Sequence, residues 1–291
     1  MSASRFAFGT MEARSVGIVG VGLIGGSIGL AALRAGYRVY LYDCLASEKL
    51  AESKFRPAVI VSDLEELALR SRLIILATPI AALAKIGAVL GELVIAGHVV
   101  SDVASVKAPV AKALANALGN RCDYVPAHPM AGSEKSGAEA ARADLFVGAV
   151  TLVCPELASD TASVQLVKGF WEELGTRVVL ASVAAHDQMV AAMSHLPHLI
   201  AALLVRHVAA TNSAALELCG PGFRDSTRIA SGAPELWADI LLSNSDAVKQ
   251  HLLAFKDLLE EAFILLSEKD AKKLQALLDD AKQNRDRLSP E

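Results

Sequence analysis

The sequence is poor in the features that would mark several broad classes of protein. Its 291 residues include four cysteines, Cys44, Cys122, Cys154 and Cys219, and none sits at paired spacing. That excludes a disulfide framework and a zinc site built on cysteine, and it fits the reducing cytoplasm that we expect as the location. Aromatic residues make up 5%, so Ala, Val, Leu and Ile carry the apolar content. No block of like charge occurs: 28 Lys+Arg stand against 32 Asp+Glu, for a net charge of -4. A nucleic-acid binder usually shows a basic face, so no nucleic-acid partner is expected. A membrane span needs about 20 uninterrupted apolar residues. The best stretch, Leu199 to Val205, ends at Arg206 and His207. Residues Met1 to Arg14 lack the apolar core of a signal peptide. No membrane association is expected.

What is present in excess is hydrophobic surface, at 53% of residues. Such a chain is too apolar to be disordered. Without a span, the surplus implies extensive burial, including burial between subunits. The length suggests about two domains of roughly 100–200 residues each.

From Ser15 to about Val183, short β-type runs alternate with longer Ala/Leu helical patterns. Val16–Val19, Arg38–Tyr42, Leu73–Ala77, His98–Asp102, Asp123–Pro126, Val150–Cys154 and Arg177–Leu180 read as strands. Ser27–Ala35, Ile80–Val94 and Val106–Leu118 are among the helices between them. Near-continuous apolar strands alternating with helices predict a parallel sheet covered on both faces, an α/β Rossmann-type domain. After about Ala184 no β-type run appears, and apolar residues recur at three-to-four spacing through to Leu288. We therefore expect an α/β domain over residues 1–183 and an all-α domain over 184–291.

The segment Val16-Gly-Ile-Val-Gly20-Val-Gly22-Leu23-Ile24-Gly25-Gly-Ser runs from a strand through a glycine turn into a helix. This is the context a dinucleotide-binding fingerprint requires. Gly20 allows the tight turn, Gly22 lets backbone approach a pyrophosphate, and Gly25 lets helix pack on strand. Leu23 and Ile24, within the glycine turn, are expected to contact the cofactor, and the start of the helix that follows offers free N–H groups to phosphate. Asp43 ends the second strand, 23 residues past Gly20. It is placed to bind ribose hydroxyls and to repel a 2′-phosphate, so NAD is expected over NADP. Thr78 and Pro79 follow another strand at the ligand-binding edge. They are either cofactor contacts or an ordinary turn with proline opening a helix.

Three further places carry chemistry. His128 is the first ionisable residue of a polar, glycine-containing stretch after a strand, and Pro129 restricts its backbone. A neutral imidazole there can take a proton beside a hydride acceptor. Ser105 lies where a helix starts, as an N-cap, a substrate-binding hydroxyl, or both. His186, His195 and His198 share a helical stretch disturbed by Pro197. They read as buried structural groups or as the lining of a substrate pocket, and no metal site is expected because no carboxylate or cysteine lies at ligand spacing. Arg228, in a Gly-rich break, can fork onto a carboxylate or can pair with Asp225.

The glycine turn, Ser101–Lys107, His128-Pro-Met-Ala-Gly-Ser-Glu134-Lys-Ser-Gly137, Ser194-His-Leu-Pro-His198 and Gly222-Phe-Arg-Asp-Ser-Thr-Arg228 together resemble the prephenate/arogenate (cyclohexadienyl) dehydrogenase family. The resemblance spans about Ser15 to Asn244. It implies a Rossmann domain followed by a helical dimerisation domain, a homodimer, and NAD-dependent oxidative decarboxylation of a small cyclohexadienyl substrate in tyrosine biosynthesis. By resemblance, His128 accepts the ring hydroxyl proton and Ser105 bonds the same hydroxyl. Arg228 binds a substrate carboxylate, His198 and His195 line the pocket, and Glu134 and Asp225 border it. His128 and Arg228 are then expected to face each other across one crevice, in a stand-alone catalytic chain. Two other readings share the architecture: a β-hydroxyacid or imine-reducing dehydrogenase, and an NAD-sensing scaffold without turnover. The first would place a catalytic lysine on the long helix, and Ala184–Leu204 contains none.

Overall fold

A computed structural model describes residues 14–44, 54–133, 135–211 and 213–288. The chain forms two compact units, Met1–Asn244 and Ser245–Glu291. In the first unit, six strands make a wholly parallel sheet: β1 (Ser15–Val19), β2 (Arg38–Tyr42), β3 (Val59–Ile60), β4 (Leu73–Leu76), β5 (Val99–Asp102) and β6 (Asp123–Tyr124). Their order is β3-β2-β1-β4-β5-β6, so the winding reverses between β1 and β4. That reversal opens a crevice at the carboxyl ends of the strands.

The apolar strands are explained by burial on both faces. Val16 and Ile18 of β1, with Leu73 and Ile75 of β4, pack beneath helix α1 (Leu23–Arg34) in one core. Val19, Ile74 and Leu76 point the other way. They meet Leu67 of α2 (Leu64–Arg70), Leu83 and Leu90 of α3 (Ile80–Leu93) and Leu114 of α4 (Ala108–Leu118). Helix α1 starts four residues earlier than its apolar pattern suggests, because the glycines that weaken its propensity are demanded by the turn.

The expectation of one continuous alternation to Val183 needs correction. The chain leaves the parallel sheet after β6, which is two residues long rather than the four expected. Pro126 has no N–H to extend the ladder. Strands β7 (Ala127–Pro129), β8 (Val150–Val153) and β9 (Arg177–Leu180) form a second sheet, with β7 antiparallel to β8 and β8 parallel to β9. Helix α5 (Thr161–Glu173) joins β8 to β9 and buries Phe170 and Trp171 in the first core. β7 is an edge strand, which is why Pro129 is tolerated there.

A helical run follows: α6 (Val183–Val190), a π-helical turn (Ala191–His195) and α7 (Leu196–Thr211). Pro197 cannot donate to the ladder, and the π turn lies just before it. By length and composition, Val183–Thr211 is long and apolar enough to cross a membrane. The sequence expectation counted uninterrupted apolar residues and so missed this. The run nevertheless carries His186, Asp187, His195 and His198, all buried within the first unit. Helices α8 (Pro221–Thr227) and α9 (Pro234–Ser243) complete that unit. The last strand ends at Leu180 and the helical run starts at Val183, while compactness divides the chain after Asn244. The second unit is α10 (Ser245–Glu268) and α11 (Ala271–Asp286), the latter capped by the Asp270 carboxylate. It leaves Leu253, Phe263 and Leu266 exposed.

Candidate active site

The glycine turn sits at the β1/β4 reversal. Gly20 has φ +94°, and a Cβ there would lie 2.6 Å from the Ala77 carbonyl oxygen. At Gly25 a Cβ would stand 1.9 Å from the Gly20 oxygen, so helix and turn can approach this closely only without a side chain. Gly22 differs: a Cβ would meet no atom of the described residues within 4 Å. The space beside it is therefore open to a ligand. No side chain caps α1, and its first turn holds no acidic residue. Leu23 and Ile24 pack partly on the core and leave their N–H groups at that uncapped end.

Asp43 reaches back to the turn, its Oδ2 accepting the Val21 N–H at 2.8 Å. It lines a cavity of about 730 Å³ together with Gly20, Tyr42, Thr78 and Ile86. Thr78 Oγ1 is buried and has no partner among the described residues. Pro79 is the extended N-cap residue of α3 rather than its first helical residue. An open turn, uncapped N–H groups, an orphaned hydroxyl and a carboxylate at the second strand end fit the phosphates and ribose of a dinucleotide.

The second constellation begins where the chain crosses between sheets. His128 lies within strand β7, paired with Leu152, and not in a loop. Its Nδ1 is 2.8 Å from Nε2 of His186, and His186 Nδ1 is 2.8 Å from Oδ1 of Asp187. The Asp187 carboxylate also accepts the backbone N–H groups of Lys107 and Ala108, each at 2.8 Å. Asp187 thus caps α4 from 79 positions away. This corrects the N-cap reading of Ser105, which lies before the helix, is half-buried and makes no hydrogen bond among the described residues.

The string dictates proton positions. A carboxylate only accepts, so His186 carries its proton on Nδ1 and offers a lone pair at Nε2. His128 then donates from Nδ1, and its Nε2 is left as an acceptor. Burial disfavours the Asp187 anion, but hydrogen bonds from His186, Ala108 and Lys107 outweigh it and hold the pKa below the usual carboxylate value. Burial, with the nearby positive potential of His186, Lys107 and His195, pushes His128 well below an ordinary histidine. His186 is lowered too, by burial acting against its Asp187 hydrogen bond. Below this string, the fully buried Lys107 ammonium pairs with Asp102, whose carboxylate also accepts Tyr124 O–H at 2.7 Å and Ala104 N–H at 2.9 Å. This network pins the turn that carries Ser105.

On the helical side, His198 stacks on Trp237 with ring centroids 3.5 Å apart, and His195 meets the same ring edge-on at 6.3 Å. Asn244 donates to the Asp187 carbonyl at 2.8 Å. One hydrogen-bonded and stacked array therefore runs from His128 to Trp237. Arg228 is not part of it, so the expectation that His128 and Arg228 face each other across one crevice needs correction. Arg228 is exposed and lines a different cavity, of about 370 Å³, with Arg224, Thr227 and Ser231. No ion pair links it to Asp225, itself exposed, among the described residues. Glu134 lies outside the described residues. Sequence reading missed the catalytic-site candidates Asp187, Lys107 and Asn244. Only the adjacency of His186 and Asp187 at a helix start hinted at the first. Among the described residues no group of His, Cys, Asp and Glu could hold a metal ion.

Fold and site together define a Rossmann-type nucleotide-binding protein with a buried imidazole string beside its sheet. Residues 28–180 match the model of the prephenate dehydrogenase nucleotide-binding domain, and residues 182–280 match that of the prephenate dehydrogenase dimerization domain. The chain belongs to the prephenate dehydrogenase family, a family of oxidoreductases. It is 33% identical to a prephenate dehydrogenase from Bacillus subtilis over 285 residues, covering 93% of this chain and 75% of that one. It is 31% identical to a cyclohexadienyl dehydrogenase from Zymomonas mobilis, covering 83% and 85%. Its structure resembles that of prephenate dehydrogenase from A. aeolicus in complex with hydroxyphenyl propionate and NAD+, with TM-score 0.86, 29% identity and coverage of 95% and 99%.

The glycine geometry separates two effects. Gly25→Ala should lower the unfolding midpoint in urea, because a helix or turn must shift to admit the methyl group. Gly22→Ala should leave that midpoint unchanged while weakening dinucleotide binding, measured by titration calorimetry.

Proposed function

We propose that this chain catalyses the oxidative decarboxylation of prephenate to 4-hydroxyphenylpyruvate, of arogenate to tyrosine, or both, with NAD as the oxidant. The observation that carries this reading is the Asp187–His186–His128 string, which leaves one imidazole nitrogen open as a base where the chain leaves the nucleotide-binding sheet. Family membership and the named substrates of the relatives support the substrate class. NAD is supported by Asp43 and by the NAD+ held in the A. aeolicus structure. Gly20, Gly22, Gly25, Leu23, Ile24, Asp43, Thr78 and Pro79 would hold it. When bound, it accepts the hydride from the hydroxyl-bearing ring carbon.

His128 takes the hydroxyl proton at Nε2 as that carbon is oxidised. The carbon–carboxylate bond at the opposite ring position then breaks, carbon dioxide leaves, and the bonding pair aromatises the ring. His128 returns its proton to the phenolate oxygen. Aromatisation supplies the driving force, so the protein mainly orients the substrate and moves this proton. Ser105 bonds the same hydroxyl from the turn held by Lys107 and Asp102. Arg228 lines a cavity that does not include His128; free of ion pairs among the described residues, its guanidinium is available to a substrate carboxylate, the role the family resemblance gives it. His195 and His198 line the pocket, with Asp225 at its border, as the family resemblance implies.

A homodimer through the helical region, 184–291, joined to an NAD-binding region, 1–183, is supported by the dimerization-domain match and by the exposed apolar side chains there. A cytoplasmic location accords with four unpaired cysteines.

Purified protein should reduce NAD when given prephenate or arogenate; inactivity with both would reject the assignment. His128→Asn should lower kcat severely while NAD binding persists. In the wild type, the acid limb of kcat/KM should lie below the ordinary histidine pKa of about 6.5. The base must be neutral, and its lowered pKa keeps it neutral further into acid. Arg228→Ala should mainly raise KM; an unchanged KM would move the carboxylate anchor elsewhere.

A further inference from the structure

Asn244 has no part in the proton and hydride transfers, yet it touches both arms of the site. It is the last residue of the first unit, caps the end of α9 and is 7% exposed. Its Nδ2 lies 2.8 Å from the Asp187 carbonyl oxygen and 3.2 Å from His195 Nδ1. A carbonyl only accepts, so the NH₂ of the carboxamide must face it. The second hydrogen of that NH₂ then faces His195 Nδ1, which must present a lone pair. A neutral imidazole has one N–H, so in His195 it sits on Nε2.

That N–H is stranded. His195 is 1% exposed and its Nε2 has no partner among the described residues. A buried donor without an acceptor is costly unless a ligand supplies one. The groups facing His195 are Asp187 and His186 from α6, His198 from α7 and the Trp237 ring, nearly perpendicular to it, from α9. Only Asp187 favours an imidazolium, and its carboxylate is already engaged by His186 and two backbone N–H groups. Burial prevails and brings the His195 pKa down to about 4, so the ring is a neutral donor at working pH.

We propose that Asn244 is a positioning residue: its carboxamide fixes His195 as an Nε2–H donor to a substrate oxygen and ties that donor to Asp187, the anchor of His128. This rests on the function proposed above. The partner oxygen is of the acceptor-only class, a carboxylate or keto oxygen. Because one residue holds both the base and the donor, the two contacts with substrate are set in register by a single anchor.

Imidazole ¹⁵N–¹H correlation spectra of the wild type, with His195 assigned by its loss in His195→Asn, should show the Nε2–H tautomer across the neutral range. The Nδ1–H tautomer would overturn the proposal without any Asn244 variant having to fold. Asn244→Ala should mix the two tautomers and raise KM for the substrate about tenfold, the loss of roughly one hydrogen bond. The NAD Kd should change little; an unchanged KM would overturn it. Asn244→Asp sets a carboxylate beside Nδ1, favours the imidazolium and raises its pKa. Above that pKa the proton stays on Nδ1 and Nε2 loses its hydrogen, so kcat/KM should acquire a new fall as pH rises. A wild-type pH profile would overturn the proposal. If the wild type turns over neither prephenate nor arogenate, the function itself fails; if it turns them over while the Asn244 variants behave as wild type, only the positioning role fails.

Discussion

The Asp187 carboxylate is the contact on which the rest of the site depends. It takes two N–H groups at the start of α4 and one from His186, and its backbone carbonyl takes the Asn244 amide. A helix N-terminus and an imidazole N–H both favour negative charge, so the anion is held despite burial. Removing the charge would release the helix end and the imidazole together. It would also free the proton order of the string, which at present makes His128 Nε2 an acceptor. Secondary structure, proton placement and the proposed base are thus consequences of one buried anion.

Local chemistry was legible and long-range pairing was not. The Gly20–Gly25 turn could be read because the backbone geometry is written in adjacent residues: a positive φ at Gly20 and a forbidden Cβ at Gly25. Six of the seven expected strand runs coincide closely with observed strands because β-type apolar runs are local. The seventh, Asp123–Pro126, is shortened by its own proline. The two-residue β3 carries too little pattern to detect. Ser105 looked like a cap because capping is usually local, whereas the actual cap comes from a distant helix. His128 and His186 are 58 positions apart, and nothing in their spacing foretells a 2.8 Å contact. Arg228 shows the same limit: its charge was visible, but its cavity, shared with Arg224, follows from how α7 and α8 meet.

The helical run Val183–Thr211 shows why hydropathy alone misleads. Its apolar length would suit a bilayer, yet its polar residues are what organise the site. The π turn accommodates Pro197 and places His195 beside Asn244, while the next turn stacks His198 on Trp237. A regular helix would keep its hydrogen-bond ladder and lose this arrangement. The remaining apolar surface, such as Leu203 and Leu204 on α7 and Phe263 on α10, accords with a family whose second half is a dimerization domain.

The most direct test of the central claim is single-turnover and steady-state kinetics of Asp187→Asn with prephenate and NAD. An amide cannot hold His186 as a carboxylate does, so the account predicts that kcat falls on the order of 10²-fold or more, with NAD affinity retained. A variant that folds, binds NAD and turns over at the wild-type rate would contradict it.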